Sequence, residues 1–214
     1  MILRIPAWVA ETNAYVVTAD QGDLAIVVDV PPQPELIGAE IAEKGLAVVG
    51  ILLTHGHIDH TGGAGRLASE TGALTYVHPD DDFLTLHPAE QLRSMFGMTP
   101  PGSYEVPERI DRLEHGEKLD LAGIGLEVRH TPGHTPGHCC FYWDSEGILF
   151  SGDQLFAGSI GRTDLPGGSM PQLIRSMRDE VMVLDDEVRV LPGHGPETTI
   201  GRERRTNPFA EMWA

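Results

Sequence analysis

A cluster of three histidines and one aspartate constrains this chain more than any other feature of its sequence. It lies in Thr-His-Gly-His-Ile-Asp-His at 54–60 and directly follows 48–53, a run that is apolar on both faces, as buried strands are. Each neutral imidazole needs partners for both ring nitrogens, so these groups compete for hydrogen bonds unless they bind something together. Imidazole nitrogen and carboxylate oxygen suit zinc, iron or manganese. The cluster therefore predicts a metal site at the end of a buried strand.

The spacing within the cluster indicates how its side chains are directed. His55 and His57 lie two residues apart, so they project to the same side of an extended segment. Asp59 and His60 follow them and can turn toward a second metal position. The absence of cysteine from the cluster argues against a closed structural zinc site.

Three later segments share one arrangement, in which a turn of small residues follows a strand and presents one ligand-type side chain. They are Thr-Pro-Gly-His at 131–134, Ser-Gly-Asp at 151–153 and Leu-Pro-Gly-His-Gly at 191–195. Glycine and proline let the backbone turn sharply there. One such segment alone is usually just a turn, but four strand ends with ligand-type residues together predict a shared metal centre.

The remaining pattern predicts a layered α/β or α+β fold, because strands and helices occur in both halves. Strands are predicted at 13–18, 24–29, 48–53, 119–121, 126–130, 138–143, 148–150 and 188–191. Helices are predicted from Pro34 to a cap at Gly45, at 63–70 with Gly72 closing it, at 170–184 and at 200–206. Segment 78–109, rich in proline and acidic residues, predicts irregular helices and loops.

The amino-acid composition limits which binding partners and which cellular compartment are expected. The formal charge is −17, which repels phosphate backbones and anionic lipids, so neither nucleic acid nor a membrane surface is expected as a partner. The first ten residues hold no apolar run of signal-peptide length, which favours the cytoplasm. The two cysteines, Cys139 and Cys140, are neighbours on a strand and point to opposite faces, so we expect reduced thiols.

Taken in order, these motifs resemble the metallo-β-lactamase superfamily over nearly the whole chain. Within it, His-x-His-x-Asp-His, Thr-Pro-Gly-His-Thr-Pro-Gly-His, Ser-Gly-Asp and Pro-Gly-His-Gly resemble the glyoxalase II-like thioester hydrolases most. The resemblance implies a single domain over 1–214, an αββα sandwich with metals at one edge between its sheets. It also implies the ligands: His55, His57 and His134 for one metal, Asp59, His60 and His194 for the other, and Asp153 bridging both.

The implied function is hydrolysis of a small-molecule thioester such as S-lactoylglutathione. The implied cofactors are two divalent metal ions, with zinc preferred and iron or manganese also accepted by this donor set. A hydroxide bridging the metals would attack the carbonyl, because metals lower the pKa of bound water toward about 7. Asp59 is the predicted catalytic residue, orienting that hydroxide.

Other residues near the motifs carry weaker expectations. Arg162, in the glycine-rich loop 156–164, is the candidate for binding a substrate carboxylate, with pairing to Asp164 as its alternative. His138 is predicted to support the site or the core without binding metal. Ordinary surface or turn roles are expected for four further histidines: His78, His87, His115 and His130.

The chain also departs from full-length glyoxalase II enzymes. Only about twenty residues follow His194, so no separate C-terminal substrate-binding domain is expected. The alternatives are a lactonase and a persulfide dioxygenase of the same fold, which uses one iron and typically has cysteine at position 138. A β-lactamase is disfavoured because no export signal is evident, and a non-catalytic scaffold because the ligand set is complete. The pattern makes no prediction about oligomeric state.

Overall fold

The computed structural model describes residues 1–19 and 22–213, apart from the side chains of 95 and 96. The chain forms two compact units. The first comprises Met1–Leu113 and Asp120–Ile124, and the second comprises Glu114–Leu119 and Gly125–Ala214. Two six-stranded sheets form the framework, together with a small two-stranded hairpin.

The first sheet contains the first six strands in their chain order. They are β1 (Ile2–Ala7), β2 (Thr12–Thr18), β3 (Leu24–Val28), β4 (Ala47–Leu52), β5 (Leu74–Val77) and β6 (Ile110–Arg112). The pairs β1–β2 and β2–β3 are antiparallel, whereas the pairs β3–β4, β4–β5 and β5–β6 are parallel. The C-terminal ends of β3, β4 and β5 therefore share one edge of the sheet, where residues that follow these strands come together.

The described residues of the first unit also form five α-helices. They are α1 (Pro34–Glu43), α2 (Ile58–Thr61), α3 (Ala64–Thr71), α4 (Asp82–Thr85) and α5 (Pro88–Phe96). As predicted, α1 begins at a proline and α3 ends at a glycine, Gly72, with φ of 74°. Side chains of α1 and α3, including the fully buried Ile37 and Leu67, join β2, β3 and β4 in one apolar core.

The second sheet has the order β14-β13-β10-β9-β8-β7. Its strands are β7 (Lys118–Leu121), β8 (Ile124–His130), β9 (Cys139–Trp143), β10 (Ile148–Gly152), β13 (Arg189–Pro192) and β14 (Thr198–Thr199), and the separate hairpin is β11 (Leu155–Phe156) and β12 (Ser159–Ile160). Because β9 is antiparallel to both β8 and β10, these two run in the same direction, and β13 is parallel to β10. Their C-terminal ends therefore share an edge as well.

Two helices complete the second unit, α6 (Met170–Ser176) and α7 (Ile200–Thr206). The helix predicted at 170–184 is α-helical only as far as Ser176. After Ser176 it widens into a π-helical turn over Met177–Val181, in which the Met182 N–H donates to the Met177 carbonyl. The α7 boundaries match the prediction.

The two cysteines agree with the prediction of reduced thiols. Cys139 and Cys140 are both buried and form no disulfide. Burial raises the pKa of the Cys140 thiol to about 12, so this side chain remains a neutral core residue. None of the helices in the described ranges is long and apolar enough to cross a membrane.

Candidate metal centre

The loop after β4 directs the side chains of His55 and His57 toward a common point. The Nε2 atom of His55 lies 3.1 Å from the Nδ1 atom of His57, and both residues are buried. Two nitrogens bound to one tetrahedral ion at about 2.0–2.1 Å lie roughly 3.3 Å apart. The pair therefore fits the geometry of two ligands of one metal ion, and the predicted common direction of these two histidines is confirmed.

Asp59 and His60, in α2, form a second pair of donors. The Oδ2 atom of Asp59 lies 3.5 Å from the Nε2 atom of His60. The Thr12 hydroxyl, from β2, donates a hydrogen bond to the same Asp59 oxygen at 3.0 Å and fixes its position. The first unit thus presents two pairs of donors, as the resemblance implies for two metals.

Asp29, which directly follows β3, orients one histidine from each pair. Its Oδ2 atom accepts a hydrogen bond from His60 Nδ1 at 2.8 Å and another from the Thr54 hydroxyl at 2.8 Å. Since the Thr54 proton is used there, Thr54 Oγ1 accepts from His55 Nδ1 at 3.1 Å. Both histidines therefore carry their lone pairs on Nε2. This carboxylate–histidine arrangement is how proteins commonly hold metal ligands.

Sequence reasoning missed Asp29, although a signal for it exists. It is an acidic residue at the end of a buried strand, the same pattern that identified Asp153. Its backbone has a positive φ of 57°, a conformation that aspartate tolerates better than most residues. Asp29 is also buried, and its Oδ1 atom accepts the Thr54 backbone N–H at 2.8 Å, so its carboxylate is held firmly.

In the second unit, one oxygen of Asp153 faces two histidines. Asp153 Oδ2 lies 3.5 Å from the Nε2 atom of His134 and 3.6 Å from the Nε2 atom of His194. These three residues follow β8, β10 and β13, whose C-terminal ends share one edge of the sheet. A carboxylate placed between two imidazoles has the arrangement that the resemblance implies for a bridging ligand.

Hydrogen bonds to the backbone set the direction of His134. Its Nδ1 atom donates to the Arg162 carbonyl at 2.7 Å, which places the lone pair on Nε2, the nitrogen that faces Asp153. Two glycines make this packing possible. A Cβ on Gly133 would lie 2.2 Å from the Leu173 nitrogen, and a Cβ on Gly161 would lie 1.9 Å from the Asp153 carbonyl oxygen.

His138 supports the site through both ring nitrogens. Its Nε2 atom accepts the backbone N–H of Asp153 at 3.0 Å, and its Nδ1 atom lies 2.8 Å from the Thr131 hydroxyl. Because Nε2 accepts a hydrogen bond, the neutral ring carries its proton on Nδ1. The prediction that His138 supports the site or the core is confirmed.

The guanidinium group of Arg162 is paired with Asp164. Two hydrogen bonds of 2.7 Å join them, and both side chains are exposed. The Arg162 guanidinium holds the pKa of the Asp164 carboxyl at about 2. The contact between the Arg162 guanidinium and a substrate stays a prediction. The backbone carbonyl of Arg162 orients His134, a role that the sequence did not indicate.

The remaining histidines agree with their expected turn or surface roles, with one difference. His115 is exposed and accepts the His130 backbone N–H through Nδ1, and His87 is exposed too. His78 is mostly buried instead of lying on the surface. It follows β5 and accepts the Asp80 backbone N–H, so it caps a short 3-10 turn.

Comparisons with known proteins bear on the family and the fold. The family model described as the metallo-beta-lactamase superfamily matches residues 7–194. Hydroxyacylglutathione hydrolase GloC of Haemophilus influenzae is 37% identical over 96% of this chain and 95% of its own. Among solved structures, the BLEG-1 B3 metallo-beta-lactamase has a TM-score of 0.90 at 34% identity, covering 98% of this chain and 99% of its own. TTHA1623 in a di-iron-bound form has a TM-score of 0.86 at 38% identity, covering 97% of this chain and 99% of its own. These structures confirm the predicted mixed α/β fold class.

Proposed function

The chain belongs to the metallo-β-lactamase superfamily, and from this premise we propose that it is a thioester hydrolase acting on small molecules of the S-lactoylglutathione type. The relatives indicate a metal-dependent hydrolase, and one of them is named as a hydroxyacylglutathione hydrolase. The observation that carries the proposal is the arrangement of donors, with two pairs in the first unit and one carboxylate between two histidines in the second.

In this proposal the donors hold two divalent metal ions. One ion is assigned to His55, His57 and His134, the other to Asp59, His60 and His194, and Asp153 bridges them. All seven side chains belong to His and Asp groups that could hold a metal ion. Zinc is the preferred assignment, while iron and manganese suit the same donors, and TTHA1623 carries two irons.

The protein's own groups then position the reactants. When bound, two such ions make a nucleophile available from water near neutral pH and polarise the carbonyl that is attacked. Asp59 is proposed to accept a hydrogen bond from the attacking group, since the Thr12 hydroxyl holds its carboxylate in place. The leaving thiolate needs no strong general acid, which agrees with a site built from histidines and carboxylates.

Arg162 is the proposed contact for a substrate carboxylate. Its guanidinium is exposed and already forms a two-bond pair with the Asp164 carboxylate. A substrate carboxylate would take the place of Asp164, because both present the same two-oxygen fork. We also propose that the protein acts in the cytoplasm on small molecules, since a charge of −17 disfavours nucleic acid and anionic membranes.

β-Lactam hydrolysis is the second candidate. The observation that favours it is the likeness to BLEG-1, a B3 metallo-beta-lactamase, over nearly the full length of both chains. Both reactions attack a carbonyl carbon with the same kind of nucleophile, so the metal centre alone does not separate them. They differ in the leaving group, which is a thiolate in one case and a ring nitrogen in the other.

The test is hydrolysis of S-lactoylglutathione by the purified protein, with bound metal counted in the same preparation. We expect thioester loss that stops when a chelator removes the metals and returns when they are restored. A chromogenic cephalosporin is measured in parallel, together with oxygen uptake with glutathione persulfide and ring opening of a lactone. Protein with two metals per chain that leaves the thioester intact would contradict the thioester proposal, and turnover of another substrate would replace it.

A further inference from the structure

The peptide groups between the ligands of the first unit are held by side chains from a different part of the chain. The Gly56 N–H donates to Asp81 Oδ2 at 2.7 Å, and the Gly56 carbonyl accepts from Gln91 Nε2 at 2.8 Å. The Ile58 N–H donates to Gln91 Oε1 at 3.1 Å. Gly56 and Ile58 alternate with the proposed ligands at positions 55, 57 and 59.

Asp81 and Gln91 are well placed to fix this backbone. Asp81 is fully buried, and Gln91 is 4% exposed. Gln91 Nε2 also donates to the Leu84 carbonyl at 3.0 Å, which ties the amide to α4 as well as to the ligand loop. The Gln91 amide thus makes three hydrogen bonds to main-chain groups, and two of them are to the residues on either side of His57. Buried peptide groups need hydrogen-bond partners, and here two side chains supply the hydrogen bonds that a neighbouring strand would otherwise make.

Segment 81–91 also packs closely against Gly56. A Cβ at this position would lie 2.8 Å from the Leu84 Cβ and 3.0 Å from the Asp81 Cβ. The glycine therefore lets segment 81–91 approach the ligand loop closely enough for side chains to reach its peptide groups. Segment 78–109, irregular in the sequence pattern, contributes here to the architecture of the metal centre.

We propose that Gln91, together with Asp81, is a positioning residue that sets the direction of His55, His57 and Asp59 and so determines how tightly metal binds. This inference rests on the proposed metal-binding function of the loop. Replacing the Gln91 amide by an apolar group of similar size leaves the Gly56 carbonyl and the Ile58 N–H without these partners. The backbone then moves to satisfy them, and the ligand atoms move with it.

The experiment compares the metal affinity of the wild type with that of Gln91→Met by competition with a chromophoric chelator. We expect the Kd for zinc to rise roughly 10–100-fold, the usual effect of losing a group that supports ligands. The visible spectrum of the cobalt-loaded protein should change as well, since it reports ligand geometry directly. Gln91→Glu keeps an acceptor for Ile58 but turns a carboxylate oxygen toward the Gly56 and Leu84 carbonyls, so its Kd is expected to rise as well.

Ile37→Ala is the matched control. Ile37 is fully buried in α1, and its truncation destabilises the same unit within an apolar core that contains none of the ligands. It should lower the unfolding temperature of the metal-free protein while leaving the zinc Kd and the cobalt spectrum unchanged. A wild type that fails to bind metal would overturn the proposed function itself.

If the wild type binds two metals and Gln91→Met binds them with the same Kd and cobalt spectrum, the role of Gln91 is disproved. A Kd that rises equally in Ile37→Ala would also disprove it, because the effect would then follow from lost stability alone. Should Gln91→Met fail to fold, Gln91→Glu is measured in its place against the same criterion.

Discussion

The backbone N–H of Asp153 donates a hydrogen bond to the Nε2 atom of His138 at 3.0 Å. His138 directly precedes β9, and its other ring nitrogen bonds to Thr131, which directly follows β8. The buried ring therefore connects two strand ends that present ligands, and it fixes the backbone from which the Asp153 carboxylate projects.

His138→Leu should weaken metal binding, because leucine fills a similar volume but accepts no hydrogen bond from Asp153. We expect the Kd for zinc to rise about 10–100-fold, measured by chelator competition. His87→Gln is the control, because His87 is exposed and lies outside the donor set. Unchanged affinity in His138→Leu would show that the Asp153 backbone keeps its position without this contact.

Asp29→Asn should weaken metal binding as well, through the two histidines that Asp29 orients. An amide has one oxygen where the carboxylate has two, so asparagine cannot accept all three hydrogen bonds that Asp29 takes from Thr54 and His60. We expect a loss of about tenfold or more in zinc affinity, with both metal positions affected. Stepwise metal titration checks this, and loss at only one position would contradict the shared role.

Asp59→Asn tests the proposed catalytic role of Asp59. The substitution removes a negative charge and one acceptor oxygen, so we expect kcat to fall roughly 100-fold at saturating metal. Metal content must be counted in the assayed sample, because Asp59 is also an assigned ligand. A variant that keeps both metals and full turnover would show that Asp59 does not orient the nucleophile.

Arg162→Gln should raise KM by about tenfold and leave kcat nearly unchanged, as expected when a contact made equally in ground and transition states is lost. Asp164→Asn should leave KM unchanged or lower it, since Arg162 is then available to the substrate. The lowered pKa of Asp164, about 2, means that the pair is intact above the ordinary carboxyl pKa and is lost as pH falls toward 2. We therefore expect no break in KM from this pair between pH 5 and 9. An unchanged KM in Arg162→Gln would leave Arg162 as a partner of Asp164 only.

Cys140 should be unreactive in the folded protein. Burial raises the pKa of its thiol from 9.0 to about 12, so almost no thiolate forms at pH 8. A thiol reagent should label it only after unfolding. Because the folded state binds this proton more tightly, stability is retained below pH 9 and is lost as pH rises toward 12. Denaturant midpoints at pH 7.5 and 10.5 check the sign, and Cys140→Ala should show a smaller decline.

The sequence pattern predicted the histidines and aspartates that could hold metal because their local signal is strong. A metal ligand after a strand needs a sharp turn and a particular side chain, and both are visible in a single segment such as 131–134 or 151–153. Most strand and helix positions agree for a similar reason, since apolar runs and glycine caps are local features.

Some strands were not predicted because their patterns are short or interrupted. β1 has alternating apolar residues, but Arg4 and Pro6 break the pattern, and the strand is stable because it lies at the sheet edge, where proline is tolerated. β5 has only four residues and β6 only three. Their stability comes from pairing with neighbours, which a local pattern does not contain.

The supporting residues of the centre were not predictable from local patterns. Gln91 contacts residues 33 and 35 positions away, and Asp81 contacts Gly56 from 25 positions away. Such contacts depend on how an irregular segment packs, and a glutamine within a helix carries no sign of it. The same holds for the Arg162 carbonyl, because a backbone atom has no signature in the sequence.

The alternation in the ligand loop limits how the chain can change in length. Positions 55, 57 and 59 carry donors, while the peptide groups of Gly56 and Ile58 are bound by Asp81 and Gln91. An insertion or deletion of one residue between His55 and Ile58 would shift the donors relative to Asp81 and Gln91, so that the side chains and the peptide groups could not both keep their positions. Substitutions can therefore be accommodated around this loop far more easily than changes in its residue count.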